Sequence, residues 1–93
     1  MTQSLRTFIQ DPNETLDYLF DWVAWLASDT ISTSSWSTSK NDVIVTANTK
    51  TNTTATGWVT GGVNGDKVYV TNRITTAGGR TAERSFTLRI KDR

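Results

Sequence analysis

Cysteine and histidine are both absent from the 93 residues, and proline and methionine occur once each. Without cysteine there is no disulfide framework of the kind small secreted domains use, and no thiol nucleophile. Without histidine the most frequent general base and nitrogen ligand for metals are missing. No Gly-x-Ser-x-Gly elbow is present to activate a hydroxyl. Asp17 and Asp21 form the one close carboxylate pair that could share a face, and in so short a chain they read as solvated acids, not as a glycosidase dyad. The Gly-rich residues 61–66 lack the Gly-Lys-Ser/Thr ending of a phosphate loop. Asn64 and Asp66 within them lack EF-hand spacing. The inventory therefore predicts no catalytic, cofactor-binding or metal-binding residues.

Charge of one sign is also lacking. Ten Lys and Arg oppose nine Asp and Glu, a formal charge of +1, whereas nucleic-acid binding needs a clustered positive field. The one basic cluster is Arg80, Arg84, Arg89, Lys91 and Arg93. Its last three members share strand parity and read as the solvated face of a final strand. No stretch approaches the ~18 consecutive apolar residues of a membrane span, and residues 1–10 lack the apolar core of a signal peptide. The expectation is a soluble protein made in the cytoplasm, with neither nucleic acid nor membrane as partner.

What the chain does have is a small number of large side chains: four Trp, three Phe and two Tyr, each able to bury roughly 150–250 Å². Its length suits one core. From Thr30 onward Thr, Ser, Val and Ile dominate, and Asn and Gly recur at the spacing of an all-β sandwich or barrel. Strands are predicted over residues 42–49, 56–60, 67–76 and 83–91, the last with Phe86, Leu88 and Ile90 inward. The paired glycines of residues 76–80 predict a hairpin turn. Residues 29–39 read as a strand with a phase change, since Ile31 and Trp36 differ in parity, which a bulge would reconcile. Residues 50–55 read as a polar connection with nothing to bury.

The N-terminal third is open to two readings. Asp11, Pro12 and Glu14 have the pattern of a helix start, and Leu16, Leu19, Phe20, Val23 and Leu26 follow at helical spacing. Leu16, Tyr18, Phe20 and Trp22 equally alternate as a strand. Trp36 and Trp58 are expected in the core, and Trp25 at an interface, where aromatic anchors concentrate binding energy.

Taken in order, Asp17-Tyr18, Phe20-Asp21-Trp22, Trp25-Leu26, Asp29-Thr30-Ile31, Ser35-Trp36, Gly61-Gly62, Tyr69-Val70-Thr71-Asn72, Gly79-Arg80 and Arg84-Ser85-Phe86 resemble a family of small Ig-like virion proteins of tailed bacteriophages, often labelled phage fiber protein. The resemblance spans residues 11–93. It implies an Ig-like antiparallel β-sandwich of about seven strands, with residues 17–22 as a strand and residues 23–27 as a short helical turn. It also implies a non-enzymatic subunit at the capsid surface, decorating or stabilising the lattice. The major capsid protein or another virion protein is then the partner, and a homo-oligomer is expected. The alternative it leaves is a tail or fibre module that binds a host-surface glycan or protein. Residues 1–10 would be an arm ahead of the single domain of residues 11–93, ordered by a neighbour or packed as an ordinary first strand. The interface residues expected on this reading are Leu5, Phe8, Ile9, Trp22 and Trp25.

Overall fold

A computed structural model of the chain describes residues 6–92; Leu5 and Arg93, both invoked above, lie outside them. The order is β1 (Thr7–Gln10), β2 (Thr15–Asp21), α1 (Val23–Leu26), β3 (Ile31–Thr38), β4 (Val43–Lys50), β5 (Thr54–Gly61), β6 (Lys67–Thr76) and β7 (Thr81–Ile90). The strands form a four-stranded sheet, β1-β7-β6-β3, and a three-stranded sheet, β2-β5-β4. All pairs are antiparallel except β1 with β7. Val43 and Val59 of the smaller sheet pack against Val68, Val70, Phe86, Leu88 and Ile90 of the larger, so the protein is an all-β sandwich.

Alternation accounts for the strands. In β6 every second residue from Val68 to Thr76 is buried, and in β7 Phe86, Leu88 and Ile90 are buried while Arg89 is exposed. The hairpin between them closes where its glycines predict, with Thr76 N–H donating to Arg80 O and Gly79 at φ +89°. The phase change in β3 is a register shift between Ile31 and Thr33, an extra residue at Ser32 that lets both Ile31 and Trp36 face inward.

Residues 15–21 are a strand paired throughout with β5, which excludes the long-helix reading. The hydrogen bonds of the expected helix start are made nonetheless: Asn13 N–H donates to Asp11 Oδ1, and Asp11 N–H to Glu14 Oε1. They close the turn between β1 and β2. Helix α1 is a single turn, ended by Ala27 at φ +58°.

Two expectations need correction. Ala55, expected in a connection with nothing to bury, is completely buried in β5. Trp58, expected in the core, is half-buried and belongs to neither core cluster. The parity is fixed by the facing sheet. The Trp36 ring lies over Gly57 so closely that a Cβ there would sit 2.9 Å from it, so β5 must turn Ala55, Gly57 and Val59 inward and Trp58 outward.

Rings link the two core clusters into a spine along the sandwich. Phe8 meets Tyr18 at 5.2 Å, Tyr18 meets Phe86 at 4.7 Å, Phe86 meets Phe20 at 5.9 Å, Phe20 meets Trp22 at 6.4 Å and Trp22 meets Trp25 at 5.5 Å between centroids. Each such pair adds about 0.5–1.5 kcal/mol beyond the area it buries.

Candidate functional site

Among the described residues no cluster of acidic side chains is arranged to hold a metal ion. A shallow cleft of about 290 Å³ lies between β3 and β4, lined by Trp36, Asn41, Val43 and Ile44 among others. Beside it the Trp36 Nε1–H is buried without an acceptor among the described residues. The cleft is lined by no acidic or basic side chain among the described residues.

A second surface is the pole formed by α1, residues 27–30 and the β6–β7 hairpin, where cations, rings and backbone carbonyls meet. Here the chain leaves β2 at Asp21, whose Oδ1 accepts from Val23 N–H at 3.0 Å and starts the helical turn. Trp22 is completely buried, and its Nε1–H donates to Asn72 Oδ1 at 3.0 Å. The Asn72 amide in turn donates to Ser34 Oγ and Ser35 O, so this buried polar group is fully engaged. Two arginines cover the tryptophans. The Arg84 guanidinium lies 4.2 Å above the Trp22 ring and that of Arg80 lies 4.3 Å above Trp25, contacts each worth about 0.5–2 kcal/mol.

Backbone and carboxylate contacts hold both arginines in place. Arg84 donates to Asp21 O and Arg80 to Leu26 O, while Arg80 also pairs with Asp29 at 3.2 Å. A hydrogen bond from the Thr76 hydroxyl, backbone N–H groups of Thr30 and Gly78, and Arg80 together hold the Asp29 carboxyl down at about 2. Gly78 leaves room for this arrangement, since a Cβ there would meet Asp29 Oδ2 at 2.8 Å and displace the carboxylate. The result is a rigid pole on which Val23 is 49% exposed beside the half-buried Trp25.

Residues 10–89 match the family described as podophage GP4 fiber-tail adaptor protein gp77. The chain belongs to this family. It is therefore a structural protein of a tailed-phage virion, which agrees with the broad sense of the resemblance in the sequence. The adaptor family is a different one from the Ig-like fiber and head-decoration proteins named there, and it favours a tail or fibre module over a capsid-decoration subunit. No curated protein matches the chain.

Within this adaptor-family chain the expected interface residues fall into two groups, Phe8 and Ile9 on β1 and Trp22 with Trp25 at the α1 end. Phe8 is half-buried in the ring spine, and Ile9 beside it is 48% exposed on the outer face of the larger sheet. Trp22 is interior, and Trp25 sits at the α1 pole under Arg80. Leu5 is outside the described residues. Arg80 and Arg84 were missed as site residues, although Arg84 shares the parity of Phe86, Leu88 and Ile90. A cation in phase with buried residues needs a partner, and Trp22 is that partner.

Proposed function

We propose that the chain is a non-enzymatic connecting module of the phage tail, joining fibre and tail proteins by protein–protein contact, with the α1 pole as one docking surface. The observation that carries this reading is the clamped pole: Val23 and Trp25 are presented by a turn that Arg80, Arg84 and Asp29 fix from three sides. Such preorganised aromatic and apolar anchors are what an interface hot spot requires, because little ordering cost is left to binding. The family description supports the tail and fibre as the setting. The order β3-β6-β7 facing β2-β5-β4 supports an Ig-like topology, in which C-F-G strands face B-E-D strands. In this reading Ile9, exposed on β1 of the larger sheet, is left free for contacts away from the pole.

The test is assembly of phage carrying Val23→Asp with Trp25→Ala. The variant protein is expected to fold, by an unchanged β-type circular dichroism spectrum, and to yield particles that lack the fibre or the adaptor itself. Particles with a full complement of both would contradict the assignment of the pole.

A further inference from the structure

Among the described residues, the six large apolar side chains that stand exposed fall into a pattern. Val23 is at the α1 pole and Val63 at the opposite one, whereas Ile9 and Tyr69 lie on the outer face of the larger sheet and Leu19 and Ile44 on that of the smaller. Each outer face thus exposes two, and their charges are opposite in sign. On the larger sheet the row Ile9, Arg89 and Lys67 runs across β1, β7 and β6. Arg73 and Glu83 pair at 3.7 Å further along, leaving a formal excess of two positive charges. On the smaller sheet Trp58 lies between Asp17 and Ala47, with Leu19 and Asp21 following along β2. No basic residue faces outward there among the described strands, so that face carries two negative charges.

From this complementarity we infer that the chain self-associates head to tail, the positive outer face of β1-β7-β6-β3 in one copy docking on the negative outer face of β2-β5-β4 in the next. Opposite charges set beside apolar patches are the composition of an interface with a hydrophobic centre and a polar surround. The extents of 42, 26 and 19 Å leave broad faces across the shortest dimension, enough for the ~800 Å² per partner of a standard interface. Growth by strand addition is the competing geometry, and the edges oppose it. β1 has four residues, β3 and β4 carry register shifts, and β2 is lined by Asp17 and Asp21; each is a device that blunts an edge. Because the two faces differ, the contact is heterologous and propagates into a closed ring or an open stack. The inference stands apart from the adaptor reading, whose contact is at the pole.

Sedimentation velocity of the purified full chain from micromolar to millimolar concentration tests it. The parent is expected to associate, less so as salt rises. Asp17→Lys with Leu19→Lys reverses one face, and Lys67→Glu with Arg89→Glu reverses the other. Each variant alone is expected to need about tenfold or more protein to associate, whereas an equimolar mixture forms pairs, since each supplies the face the other has lost. Circular dichroism establishes that both variants fold. A parent that stays monomeric throughout, or folded variants whose mixture behaves as the sum of its parts, would overturn the inference; so would association of either variant as tight as the parent's.

Discussion

The two ends of the ring spine solve the same problem differently. At the β1 end the polar atoms beside Phe8 and Tyr18 are met by a neutral group: Gln10 is completely buried, donates to Glu14 O and Val59 O, and accepts from the Tyr18 hydroxyl at 2.8 Å. At the α1 end the rings of Trp22 and Trp25 are covered by two cations tied to backbone carbonyls and to Asp29. The neutral solution closes an interior. The ionic one closes an interior around Trp22 and also makes a surface, ordered yet still able to meet a partner.

Substitutions at the two ends sharpen the contrast. The largest effect is expected for Trp22→Ala, which empties the interior of the α1 end and strands Asn72 Oδ1. Chemical denaturation should show a loss of about 3–5 kcal/mol. Gln10→Leu comes next. It keeps the volume but removes one hydrogen bond each from the Tyr18 hydroxyl, Glu14 O and Val59 O, at a cost of about 1–3 kcal/mol, and it should leave the docking behaviour of the α1 pole unchanged.

Asp29→Asn should have the smallest effect and a distinctive pH dependence. The carboxyl is held at about 2 in the folded protein, below the ordinary 3.8. Its contribution is therefore complete above pH ~4 and is lost as pH falls through about 2. The variant should melt below the parent at pH 7, and the gap should close as pH approaches 2. A gap that persisted unchanged to pH 2 would mean that Asp29 acts through shape and not through charge.

Much of the fold was legible in the sequence, and the failures share a cause. β6 and β7 could be read because one face of each is buried along its length, so that alternation and burial coincide. Parity identifies residues that share a face but does not say which face is inside. Trp58 is in phase with Thr56 and Thr60, and only the approach of Trp36 to Gly57, a contact between sheets, decides that this phase points outward. The helix-like spacing of residues 16–26 arises because β2 and α1 are consecutive, so an alternating run is followed at once by a helical turn that extends the apolar series. The clamp on Trp25 was not legible, because Arg80 reaches it from a hairpin more than fifty positions away in the chain.

The most direct test of the central claim is a cryo-EM reconstruction of particles carrying this protein, resolving the tail and its fibre attachments as well as the head. The account predicts density for the chain between tail and fibre, with the α1 pole against a neighbouring protein. Regular copies on the head lattice, with none at the tail, would contradict it.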